Sequence, residues 1–297
     1  MEKYSKITRL TIFALTMVLS ISLGTNTVSA FPVPTAAGTN VVSNDRAEID
    51  YSNASDGYVM VRFLERTTAS VRVLITGPSG TQYQYRLATD GNWEVFPFSD
   101  GNGQYTVGVF ENVSGNRFAT VATANVTVRL TDEFAPFLRP NQFVNFNRNS
   151  AVVTRAAELV RGSTSVIDSV GRVYNFVVEN IEYDFQLAAT VTSGYVPNLD
   201  EVLRRGKGIC FDYAALMTAM LRSQGIPTKL VIGYVGPVFH AWISVYSEET
   251  GWINNIIHFD GNTWRLMDPT FTSTANMGGN ARDLVGDGSN HRPMFFH

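Results

Sequence analysis

The spacing of apolar residues along the chain changes character near residue 150. Before it, apolar and polar residues alternate in short runs: Tyr58 to Phe63, Ser70 to Thr76, Gln82 to Leu87, Trp93 to Phe98, Gln104 to Glu111 and Ala119 to Leu130. Turn signals separate the runs, among them Gly77-Pro78-Ser79-Gly80, Asp90-Gly91-Asn92 and Asp100-Gly101-Asn102-Gly103. A period of two between closely spaced turns predicts an antiparallel β-sandwich of immunoglobulin-like type over residues 47–130. After residue 150 the period lengthens to that of a helix. Ser150 is placed to cap a helix to Arg161, which Gly162 ends, and Ser163 to Asn180 sets Val166, Val170, Val173 and Val177 on one face. Asn198, with Glu201 three residues on, predicts a capping box for a short helix.

One helical stretch differs from these. Between Gly206 and Gly225, Ala214, Met217 and Leu221 form one apolar stripe, and Tyr213, Leu216 and Met220 widen it. So wide a surface belongs inside a core. Gly225 and Pro227 mark its end. Strands are expected beyond it at Thr228 to Val235, His240 to Tyr246 and Thr263 to Asp268, the last stopped by Pro269. In the second of these, His240 and Trp242 share one face, and Ala241, Ile243 and Val245 the other. Trp252 to Phe259 lies between the last two, with Asp260-Gly261 as a hairpin-type turn, and Met277 to Ser289 reads as an exposed loop. Residues 150–297 are thus expected to form an α+β domain. Residues 131–149, with Pro136, Pro140 and several Phe, read as a packed interdomain connection, and residues 31–46 as an exposed linker.

Residues 1–30 fall outside this scheme. A basic start (Lys3, Lys6, Arg9), an apolar run from Leu10 to Leu23 and the small-residue site Val28-Ser29-Ala30 read as a secretory signal peptide. Its three basic and one acidic residues leave with it, which takes the formal net charge from −3 to −5. A mildly acidic chain without a Lys/Arg run points away from nucleic acid and from a polybasic membrane contact. The expected location is therefore secreted, extracellular or at the cell surface. Asn53, Asn112 and Asn125 stand in glycosylation sequons, a weak signal in a chain rich in Asn, Ser and Thr. No EF-hand loop or zinc-ligand spacing is present, so no metal and no cofactor is expected.

Cys210 is the chain's one cysteine. An exported protein cannot use it for an internal disulfide. It follows two glycines at the start of the apolar helix, where unpaired amides and the helix dipole favour an anion, so it reads as a nucleophile. Such a thiol needs a base. Of the four histidines, His291 lies in the polar tail and His297 at its end; His258 and His240 remain, and His240 opens a strand whose end can face the helix. Asp268 is the natural acid to orient the imidazole.

Gly208-Ile-Cys210-Phe-Asp-Tyr-Ala214, Gly225-Ile-Pro-Thr, His240-Ala-Trp242 and Trp264-Arg-Leu-Met-Asp268-Pro-Thr270 together resemble the transglutaminase-like core of the papain-like thiol enzymes. The resemblance covers about residues 150–274, its four blocks stand in the family's order, and a preceding β-sandwich is a common companion. It implies a Cys210–His240–Asp268 triad, with the cysteine on a central helix packed against an antiparallel sheet. That arrangement requires the Trp264 strand to lie antiparallel beside the His240 strand; a plain hairpin instead brings Asp260 near His240, and Asp260 is the reserve. The implied chemistry is acyl transfer or hydrolysis at amide bonds of a protein or cell-wall peptide, through a thioester. Tyr183 is a candidate second oxyanion donor, and Trp242 a candidate shield. A dedicated cysteine peptidase and a non-catalytic wall-binding module are the alternatives.

Overall fold

The computed structural model describes residues 31–254, 257–259, 264–266 and 291–297, the strands at 257–259 and 264–266 by their backbone. The expected signal peptide, Asp260, Asp268 and the expected 277–289 loop lie outside the described residues.

The alternating first half forms β1 (Val41–Ser43), β2 (Ala47–Asp50), β3 (Tyr58–Phe63), β4 (Val71–Thr76), β5 (Gln82–Leu87), β6 (Glu94–Pro97), β7 (Gly103–Ser114) and β8 (Arg117–Val128). They pair as two antiparallel sheets, β1-β2-β3-β6 and β5-β4-β7-β8. Ile49, Val59 and Val61 of one sheet share a buried cluster with Val73, Ile75, Tyr85, Val107 and Val109 of the other. On β5 the pleat turns Tyr83, Tyr85 and Leu87 inward and leaves Gln82, Gln84 and Arg86 outside. The turn into β7 is clasped by Tyr105, whose hydroxyl donates to the Gly101 carbonyl and accepts from the Asp100 amide, both at 2.9 Å. Residues 31–46 are mostly exposed, as their composition predicts, but the stretch is tied down at two points. Val41–Ser43 adds to the first sheet, and Phe31 is buried against Phe146, with ring centroids 4.8 Å apart. Aromatic burial at Phe31 outweighs the local Pro/Gly content.

The second half contains α1 (Ala151–Val160), α2 (Val166–Asn180), β9 (Glu182–Tyr183), α3 (Phe185–Thr190), α4 (Leu199–Arg205), β10 (Lys207–Gly208) and α5 (Cys210–Ser223). It continues with β11 (Thr228–Val235), β12 (Val238–Ser247), β13 (Gly251–Ile253), β14 (Ile257–Phe259), β15 (Trp264–Leu266) and β16 (His291–Phe296). The chain is thus α+β, and its larger sheets are antiparallel; this half holds the sheet β13-β12-β11-β16. Every residue of α5 from Asp212 to Ser223 is buried, as the wide apolar surface predicts. Val152, Val173, Val177 and Val202 of the other helices and Ala241, Ile243 and Val245 of β12 complete the cluster around it.

Two local expectations are corrected. The Ser150 hydroxyl does not cap α1. It accepts the Asn147 amide, and Asp200 from α4 accepts the Val152 amide at 3.1 Å instead. Among the described residues the Trp264 strand does not pair with β12 either. It pairs with β14, Phe259 opposite Trp264, while β12 turns back at once onto β13 with Tyr246 opposite Trp252. A short turn costs less chain entropy than a long excursion, which favours the local hairpin.

The two halves are joined by a buried polar knot. Arg222, fully buried on α5, donates to the carbonyls of Thr228 at 2.8 Å, Arg139 at 2.8 Å and His297 at 2.5 Å. Burial pulls its guanidinium down to about 9. The His297 ring lies among Tyr83, Tyr85 and Phe143, and its Nδ1 meets the Tyr85 hydroxyl at 3.0 Å. From the sequence His297 merely ends the polar tail; in the fold it is a buried anchor. Its strand, β16, carries Phe295 and Phe296 onto the edge of β11.

Arg222→Ala should leave three carbonyls without their buried donor and lower stability by about 3 kcal/mol or more, read from the urea midpoint. Burial and the nearby Arg222 hold His297 down at about 3. The unfolded chain takes up that proton below about pH 6.5, the folded one does not. His297 therefore contributes stability above that pH, which is lost as pH falls towards 3. The midpoint should drop between pH 7 and pH 5, and His297→Gln should flatten the drop.

Candidate active site

Cys210 is the first residue of α5, after Ile209 in extended conformation. It is half-exposed and free, whereas the helix behind it is sealed. The turn is held by Asp212. Its Oδ2 accepts the Ile209 amide at 2.8 Å and its Oδ1 the Tyr195 hydroxyl at 2.8 Å. This is the backward half of a capping box: a carboxylate in the first turn satisfies an amide that the helix leaves unpaired. Gly208 makes room for it, because a Cβ there would stand 2.6 Å from the Asp212 Cβ. Burial pushes the Asp212 carboxyl up, against the lowering effect of its two hydrogen bonds. Burial, with Asp212 beside it, also pushes the Tyr195 phenol up, so the phenol stays a donor.

In front of Cys210 lies a cavity of about 440 Å³. Its walls come from the α5 start (Ile209, Cys210, Phe211), from β12 (Phe239, His240, Ala241), from the 191–196 loop, and from Gln84 and Arg86 on β5. Cys210 and His240 therefore share one cavity. The alternation of β12 is as expected: Ala241, Ile243 and Val245 face α5, and Trp242 joins Val231 and Val235 behind the sheet. The His240 ring stacks with Trp242 at 6.5 Å, which groups it with that rear row, at the strand's cavity end. Tyr183 also lines the cavity. It is held by the parallel pairing of β9 with β10, Tyr183 opposite Gly208, two residues before Cys210.

Sequence reasoning missed the Tyr195–Asp212 pair and the β5 wall. Asp212 was legible as an acid in the first turn of a helix. Tyr195 and Arg86 had no signal, because only the fold brings them near Cys210. Asp212→Ala should remove both bonds and lower stability by about 2 kcal/mol, and Asp212→Asn about half as much, as measured by thermal or urea unfolding.

Residues 153–256 match the model of the transglutaminase-like superfamily. The uncharacterized protein YebA of Bacillus subtilis is 27% identical over 122 residues, 34% of this chain; the match spans 16% of that protein's own length. Among solved structures, a candidate cysteine protease from Cytophaga hutchinsonii is 16% identical, with 81% of this chain and 76% of that one covered and a TM-score of 0.40. The periplasmic domain of TgpA from Pseudomonas aeruginosa is 15% identical over 79% of this chain and 99% of its own, with a TM-score of 0.35.

Proposed function

With a transglutaminase-like domain at residues 153–256 as premise, we propose that this protein is an exported thiol enzyme that transfers or hydrolyses acyl groups at amide bonds of protein or cell-wall peptide substrates. One observation carries the reading: the free thiol at the open end of a buried helix shares its cavity with a histidine.

The steps follow from these groups. His240 takes the Cys210 proton, and the sulfur attacks the amide carbonyl. The Cys210 backbone amide, unpaired within the helix, stabilises the oxyanion, and Tyr183, which lines the same cavity, is the candidate second donor. His240 then gives its proton to the leaving amine, and a thioester remains. A second amine turns it into a new amide; water turns it into an acid. Asp268 is proposed, on its motif, to orient His240. The local β12–β13 hairpin and the pairing of the Trp264 strand with β14 make Asp260 an equal rival for that role. The aromatic wall of Phe143, Phe211 and Phe239 suits the apolar part of a peptide chain.

The Tyr105 clasp at the start of β7 and the strand orders of the two sheets support an immunoglobulin-like sandwich over residues 47–130, joined by residues 131–149 to the catalytic domain. Export rests on the signal-peptide character of residues 1–30.

The test compares purified protein with Cys210→Ala and His240→Ala, scoring peptide release and incorporation of a labelled primary amine. Each substitution should lower kcat/KM by about 10³-fold or more. Of Asp268→Asn and Asp260→Asn, the one that removes the orienting carboxylate should lower it, by less than Cys210→Ala or His240→Ala. Activity that persists in Cys210→Ala would overturn the thiol mechanism. Inactivity of every protein towards a broad substrate panel would favour the wall-binding alternative.

A further inference from the structure

A second, smaller cavity of about 100 Å³ adjoins the first and shares Gln84, Arg86, Ser193 and Gly194 with it. Arg72 of β4 lines only the smaller cavity, directly opposite Arg86 on β5. Like charges in facing cross-strand positions repel. In the same half, Arg46 pairs with Glu65 and Glu111, Arg62 with Glu48, and Arg139 with Asp56. Arg72 and Arg86 form no ion pair among the described residues. Both are nevertheless held in place. The Arg72 guanidinium lies 4.2 Å over the Phe118 ring, and the stem of Arg86 runs under Gly194, where a Cβ would meet its Cδ at 3.3 Å. The Arg86 carbonyl accepts Gln142 Nε2 at 2.5 Å, which ties this part of β5 to the interdomain connection.

Two arginines in facing cross-strand positions that line one small cavity without a counter-charge suit an oxyanion reached by both. We propose that this annex binds a carboxylate of the substrate peptide, an acidic side chain or a chain terminus, so that the first half sets specificity for the thiol in the second. The choice of carboxylate rests on the proposed function: a peptide amide substrate carries its negative charge mainly on carboxylates.

The experiment uses protection of Cys210 in the full-length chain against neutral iodoacetamide. Acetyl-tetraaspartate amide is the acidic probe, acetyl-tetraserine amide the neutral one, and inorganic phosphate the third arm. The acidic peptide should slow alkylation, tetraserine should not, and Arg72→Gln/Arg86→Gln should weaken protection more than tenfold. The variant's urea midpoint should match that of the unsubstituted protein, which shows that it is folded, and protection is scored against the variant's own rate without peptide. Equal protection by both peptides, or full protection in the double variant, would overturn the proposal. Phosphate protecting as well as the peptide would overturn the carboxylate assignment. If iodoacetamide leaves Cys210 unmodified, the thiol reading fails separately. Titration calorimetry with the same peptides then decides the annex: heat with tetraaspartate that vanishes in the double variant supports it, and no heat overturns it.

Discussion

The structure depends on complete burial of α5. A helix sealed along its length has no freedom to rotate or slide, because each of its side chains is locked by close-packed neighbours. The place where it meets solvent is its start, and Cys210 is there. Helix α5 and strand β12 share one core through Ala241, Ile243 and Val245, so the elements that carry Cys210 and His240 are held against each other by the same packing. Asp212, turned back beneath the first turn, sets the angle at which the chain enters the helix.

The cavity in front of the thiol needs both halves of the chain. β5 supplies Gln84 and Arg86, and residues around Gln142 hold the junction: the Gln142 amide donates to the Val95 carbonyl at 3.0 Å and its side chain to Arg86 and Glu94. Arg222 and His297 then bridge helix, connection and sheet. Between the halves lies a polar, aromatic seam. Its hydrogen bonds have fixed directions, so it orients one half against the other more narrowly than an apolar contact would.

Much of this was legible in the sequence, for identifiable reasons. The six alternating runs all became strands, because one face of each is buried and the period of two is then enforced. The wide apolar helix and its start at Cys210 followed from the spacing of Ala214, Met217 and Leu221. What stayed hidden depends on distant partners. Ser150 resembles an N-cap, but Asp200 from another helix reaches α1 first. His297 looked like part of a tail, because nothing local reveals the aromatic niche that Tyr83, Tyr85 and Phe143 build for it. The pairing of β15 with β14 likewise turns on turn length, which the motif order does not encode.

The position of β16 has an implication for how the molecule comes into being. This strand covers one edge of β11, and its neighbour His297 bonds a tyrosine 212 residues earlier. During synthesis, therefore, the β11 edge emerges long before its cover and must wait unpaired, a state that invites association with other strands. Contacts of such long sequence separation also make folding slow. A chain that cannot close its sheet early remains open for longer, so the last residues made decide when the sheet is sealed.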